Sequence, residues 1–193
     1  MNRAALAVSL GLWGALSGCA TTKIVSTWKD PEAKPLIRGE KVVAVVVSGS
    51  PTLRRTAEDE LVRLLADGTQ AYRLFNDNEV KDRDLVKQRL TEQGFKYVVV
   101  MKVEGISQET QARLPGKDPV WNAYGAMWGD TTVVSNSTTV EIDTKIYNVE
   151  DGKLVWVGTT ESVDPSKVEQ LVDDVAKAVG EKLKADGMLV SPQ

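Results

Sequence analysis

The sequence predicts an α/β fold: a mixed sheet built β-α-β-α-β, then an antiparallel β-β hairpin and a C-terminal helix, with helices on both faces. Three observations predict it. Lys41 to Ser48 (KVVAVVVS) is a near-continuous valine run, the pattern of a strand buried on both faces. Two stretches with apolar residues at helical spacing separate it from two further strand-like runs, and strands joined by helices pair in parallel through right-handed crossovers. Glu150-Asp151-Gly152-Lys153 then joins two strand-like segments, with Asp-Gly at the centre of a tight turn.

The elements follow in order. Ser50-Pro51 supplies an N-cap and a proline at the first helical position, and Leu53, Ala57, Leu61, Leu64 and Leu65 continue as a helix that Gly68 ends. Gln70 to Phe75 reads as a short second strand. Asp82 caps a second helix carrying Leu85, Val86 and Leu90, stopped by Gly94, and Lys96 to Val103 (KYVVVMKV) is the third strand. Thr138 to Asn148 alternates Val140, Ile142, Thr144 and Ile146 against Glu141, Asp143 and Lys145, and Leu154 to Val163 returns as its partner. Asp164-Pro165 opens the last helix, whose stripe is Val168, Leu171, Val172, Val175, Val179 and Leu183, ended by Gly187. Trp28 and Trp156 are expected in the core, Trp156 beside Leu154 on an alternating strand and Trp28 sealing the sheet edge.

Composition excludes several functions. The chain of 193 residues has a formal charge of -3, which offers no basic face for nucleic acid. Histidine is absent, removing the commonest general base and transition-metal ligand. A single cysteine forms neither an internal disulfide framework nor a thiolate zinc cluster. No spacing of carboxylates marks an acid–base pair or a calcium loop. Neither catalytic nor metal-ligating residues are therefore assigned, and the chain is expected not to be an enzyme. A hydrolytic role resting on one Ser, Asp or Glu ranks third, a serine nucleophile having only lysine as a conceivable base.

The N-terminus carries the strongest motif. Arg3 gives a positive start, and Ala4 to Ala15 is apolar apart from Ser9, the length of a secretory segment and too short to span a bilayer. Leu16-Ser17-Gly18-Cys19 follows. These four residues resemble the lipobox of bacterial lipoproteins. The resemblance implies a signal peptide over residues 1–18 and cleavage between Gly18 and Cys19. It also implies covalent lipid on Cys19, as a diacylglyceryl thioether and an N-acyl chain, with no other cofactor. One acyl chain holds a protein marginally on a membrane and two or more hold it stably. Ala20, where inner-membrane lipoproteins have Asp, implies the outer membrane with the protein facing the periplasm. Residues 19–40 read as a lipidated tether; fully extended, residues 20–40 reach about 70 Å, unless Ile24 to Trp28 adds an edge strand and shortens it. Residues 41–193 then form a single α/β domain.

Two candidate sites stand out. Ser48, Ser50, Thr52, Arg54 and Arg55 surround the start of the first helix, where free amides and guanidiniums favour an anion. The competing reading is a cap plus surface pairs of Arg54 and Arg55 with Glu58 and Asp59 one turn on. Residues 106–137 form one long loop in which Trp121, Tyr124 and Trp128 suit an interface with a protein or with membrane headgroups. The alternative is a hairpin tip whose aromatics fold back onto the sheet.

Beyond the lipobox, Trp28-Lys29-Asp30-Pro31 before a valine-rich strand, the Ser50-Pro51 opening and the hairpin Asp151 to Trp156 resemble a poorly characterised group of bacterial lipoproteins. More loosely, the element order resembles the N-terminal domain of the translocation protein TolB, a fold shared with lipoproteins that activate peptidoglycan synthases. The function expected is a non-enzymatic envelope lipoprotein that presents its loop to a protein or cell-wall partner. The alternative is a small-ligand or anion-binding envelope protein using residues 48–55.

Overall fold

The computed structural model describes residues 21–76, 78–113 and 133–191. The chain runs β1 (Thr21–Lys29), β2 (Leu36–Ile37), β3 (Val42–Val47), α1 (Pro51–Leu64), β4 (Gly68–Gln70), α2 (Ala71–Leu74), α3 (Arg83–Glu92), β5 (Tyr97–Arg113), β6 (Val133–Asn148), β7 (Leu154–Val163), α4 (Val168–Ala185) and β8 (Leu189–Val190). Six strands form one sheet in the order β1-β7-β6-β5-β3-β4, and β2 and β8 make a small parallel pair. The fold is the mixed α/β sheet that the periodicities imply.

The valine run lies inside the sheet as β3, parallel to β4 on one side and to β5 on the other. Because β4 and β5 flank β3 on opposite sides, right-handed crossovers place α1 and α3 on opposite faces. Alternate residues of β3 serve the two cores. Ala44 and Val46 pack with α1 and α4 around Leu61, Val175, Val179 and Trp156, while Val43 packs with Ala71, Phe75, Leu90 and Phe95 on the α2–α3 side. From β5 onwards the pairing is antiparallel, as the alternation of β6 requires. The outer side of this half carries charge: Lys102 pairs with Glu104 at 2.7 Å and Lys145 with Asp143 at 3.1 Å. Asp143, with Glu104 further off, raises the Lys145 ammonium above its ordinary range.

Several elements differ from expectation. The second strand, expected at Gln70–Phe75, is Gly68–Gln70 and gives way to α2. It pairs only with Val42–Ala44, so nothing holds the chain extended beyond Gln70. Helix α4 starts at Val168 rather than at Asp164-Pro165, because Asp164 adopts φ +49°, outside the helical region. Trp28 is not core: it is 48% exposed, whereas Trp156 is fully buried. The cause is a bulge between Ile24 and Ser26. Ile24 faces the core opposite buried Thr160, but the extra residue flips the strand, and Trp28 emerges on the solvent side opposite Val157.

The connection from α2 to α3 is fastened by one side chain. Arg89 donates to the Leu74 carbonyl at 2.6 Å and to Glu79 at 2.9 Å, and its guanidinium lies 5.3 Å from the Phe75 ring centre. The hydrogen bond from Arg89, and then the backbone bond from Asn76, hold the Glu79 carboxyl below its ordinary value of 4.5. A carboxyl depressed in the folded state contributes stability above its unfolded pKa and loses it as pH falls through the folded one. Glu79→Gln is therefore expected to lower the urea midpoint at neutral pH, with the gap to wild type closing as pH falls below 4.5 and through the folded-state pKa. A gap that persists in acid would refute this origin.

Candidate functional site

Strand β3 ends at Val47, and the chain turns through Ser48-Gly49-Ser50 into α1. Ser48 Oγ accepts the Ser50 N–H at 3.1 Å, and Ser50 Oγ caps the helix by accepting the Leu53 N–H at 3.3 Å. The switch point of the parallel half, where open α/β sheets commonly hold ligands, lies between β3 and β5; on the other side of β3, where β4 stops short, is a second crevice. This second crevice is filled by Glu58, which is fully buried. Its Oε1 accepts the Val46 N–H at 3.2 Å and Arg54 Nε at 2.9 Å, and its Oε2 accepts the Tyr72 N–H at 2.9 Å. Strand β4 stops opposite Ala44, so the next inward amide of β3, at Val46, receives a carboxylate in place of a strand.

The residues 48–55 consequently do not converge on an outside anion. Ser48 and Ser50 are used in the turn and cap, and Thr52 is exposed. Arg54 turns inward to Glu58, and Arg55 lies 5.7 Å from the Tyr72 ring centre. Asp59, expected as a partner of Arg55, instead accepts from Gln70 and from the Tyr72 hydroxyl, at 2.8 Å and 2.7 Å.

The second candidate region changes character. Residues 106–113 and 133–137, expected within a loop, continue β5 and β6, which stay paired as far as Arg113 opposite Val133. The neighbouring strands stop earlier: β3 at Val47 opposite Lys102, and β7 at Val163 opposite Thr139. Six residues of β6, 133–138, therefore pair with β5 alone, a two-stranded arm extending about 20 Å past the sheet. Asp164 clamps its base. Its side chain accepts the Thr138 N–H at 2.7 Å and its own N–H donates to the Thr138 carbonyl at 2.8 Å. Near the base Ile106 is 66% exposed. Trp121, Tyr124 and Trp128 lie outside the described residues, as do Gly18 and Cys19.

Register ties this arm to the start of the chain. Thr21 pairs with Val163, and Val163 pairs on its other side with Thr139 at the arm's base. The first described residue and the arm thus leave the same end of the sheet. Residues 21–29 are an edge strand of the sheet itself, so Cys19 stands only two residues from it, about 7 Å when extended.

No protein-family model matches the chain, and no curated protein does. Solved structures do. The PelC dodecamer from Paraburkholderia phytofirmans has 17% identity and a TM-score of 0.48 over 82% of this chain and 95% of that one. The lipoprotein GNA1162 from Neisseria meningitidis has 12% identity and a TM-score of 0.39, covering 76% and 99%. A minor lipoprotein from Acinetobacter baumannii has 10% identity and a TM-score of 0.34, covering 78% and 97%. Lipoproteins are thus among the structures to which this chain is similar.

Among the described residues no helix is long and apolar enough to cross a membrane, and no group of three or more Asp, Glu, His or Cys side chains is placed to hold a metal ion. Sequence reading missed two features: the burial of Glu58, and a cavity between α1 and α4. The first had a signal, since Glu58 lies between Ala57 and Leu61 on the apolar stripe of its helix.

Proposed function

We propose that this chain is a non-enzymatic lipoprotein of the cell envelope, anchored through lipid on Cys19 to the outer membrane and facing the periplasm, where the β5–β6 arm meets a protein or cell-wall partner. The observation that supports this reading is that Thr21, two residues after Cys19 in the sequence, and the arm leave the same end of the sheet. An anchor about 7 Å from the sheet holds that end against the bilayer, and an arm of about 20 Å then has to lie along the membrane surface. The partners it meets there are membrane-seated or lie in the wall close by. A two-stranded ribbon is weak alone, and its unpaired edges are templates for a further strand. Both properties suit an element that becomes ordered on a partner. The anion-binding alternative has less support, because Ser48 and Ser50 are used in the turn and cap and Arg54 turns inward to Glu58.

Labelled palmitate is expected to enter the wild-type protein and to be absent from Cys19→Ser, which leaves the membrane fraction; Cys19→Ser that still sediments with membranes refutes the anchor. A photo-crosslinker at Ile106 is expected to give discrete conjugates that Cys19→Ser loses. Conjugates of equal yield in both forms would separate the arm's role from the anchor.

A further inference from the structure

Helices α1 and α4 pack side by side on one face of the sheet. Between them, with the β2 segment at the mouth, is a cavity of about 340 Å³, within the roughly 300–1,000 Å³ of small-molecule sites. Its walls are aliphatic, including Leu61, Leu65, Val99, Met101, Ile146 and Val179. Three features distinguish it from incomplete packing.

Gly180 lines it from the middle of α4, and a Cβ built there meets nothing within 4 Å. Glycine weakens a helix interior, and neither a positive φ nor a close approach requires it here. Thr144 lines the deep end; it is fully buried, and its Oγ1 has no hydrogen-bond partner. A buried hydroxyl among aliphatic side chains calls for a polar group to meet it. At the mouth stand Arg38 and Lys184, both exposed, whose side chains have no hydrogen-bond or ion-pair partner among the described residues. The other charges there are Glu40, turned to the Ile37 N–H and close to the Tyr97 phenol, Lys177, paired with Asp173, and Glu181. The two unpartnered cations outweigh Glu181.

Register sets the distance between these ends. Tyr97 at the mouth and Met101 opposite Thr144 are four residues apart on β5, about 13 Å. We propose that the cavity binds a single-chain hydroxylated fatty acid, its carboxylate at Arg38 and Lys184, its chain along β5, and its hydroxyl at Thr144.

The test uses the full chain in phospholipid nanodiscs and a diazirine-bearing dodecanoate, irradiated and mapped by peptide mass spectrometry. Saturable labelling of residues 97–101 and 176–184 is expected. Unlabelled ω-hydroxydodecanoate should compete about fivefold or more better than dodecanoate, because a site with a polar group to satisfy discriminates against the ligand that lacks its partner. Thr144→Val should erase that preference. Arg38→Gln with Lys184→Gln should weaken labelling about tenfold, equivalent to ~1.4 kcal/mol. Gly180→Leu should abolish labelling while its unfolding midpoint stays level or rises, and Ala176→Leu repeats the test should Gly180→Leu fail to fold. Labelling that does not saturate, that survives either cavity-filling variant, or that both competitors displace equally would overturn the assignment.

Discussion

Glu58→Ala is expected to destabilise the protein by about 3–5 kcal/mol, the effect of removing one partner of a buried charge pair. The carboxylate is fully buried and accepts three hydrogen bonds, from Val46 and Tyr72 of the main chain and from Arg54. Alanine leaves both main-chain donors without their acceptor and takes the carboxylate from a guanidinium whose side chain is only 13% exposed. Glu58→Gln should fall between, at about 1–3 kcal/mol. The isosteric amide can keep its oxygen for Val46 and Arg54 but then turns its NH₂ toward the Tyr72 N–H, and a donor facing a donor is an unmade bond. Urea denaturation of the three forms measures the order. A loss for Glu58→Ala below about 1 kcal/mol would mean that water satisfies the crevice, which would restore it as a place where an outside anion can sit. The same experiment thus weighs the chemistry of the crevice beside β4 as well as the fold.

The architecture was legible wherever periodicity is enforced by burial on a whole face. The valine run, the alternation of β6 and the stripe of α4 each report a surface that packs along its full length, and each formed as expected. Reading failed where one residue resets the pattern. The bulge at Val25 sends Trp28 to solvent, and no residue type announces it, because edge strands accept an extra residue at little cost. The extension of β5 and β6 beyond the sheet was also hidden. A pair of strands with only each other for support has no buried face, so its sequence shows no alternation of apolar and polar residues. At the candidate site, Arg54 and Glu58 one turn apart look like any exposed pair. What makes them different is that β4 ends after three residues and leaves an amide for Glu58 to satisfy. The cavity was least legible of all, since Gly180 marks it only by a side chain that is missing.

Trp156 and Gly158 are expected to behave as one unit, with a reversal of sign as the test. The indole is fully buried and lies over Gly158 on the neighbouring inward position of β7. A Cβ at Gly158 would overlap Cη2 of Trp156 and come within 2.9 Å of Cζ2 and Cζ3. A ring packed on all sides cannot move aside cheaply, so Gly158→Ala should cost about 1–3 kcal/mol, the range for overpacked cores. Trp156→Ala alone should cost about 3–5 kcal/mol through lost burial and the space left behind. In that background the obstacle to a side chain at Gly158 is gone. Gly158→Ala should then stabilise by about 0.5–1 kcal/mol, because glycine is a poor strand residue for any reason other than close approach. Residues in contact depart from additivity in this way, and a double-mutant cycle by urea denaturation reads the coupling directly. Should Gly158→Ala be equally costly with and without the indole, the glycine is required by the backbone rather than by Trp156.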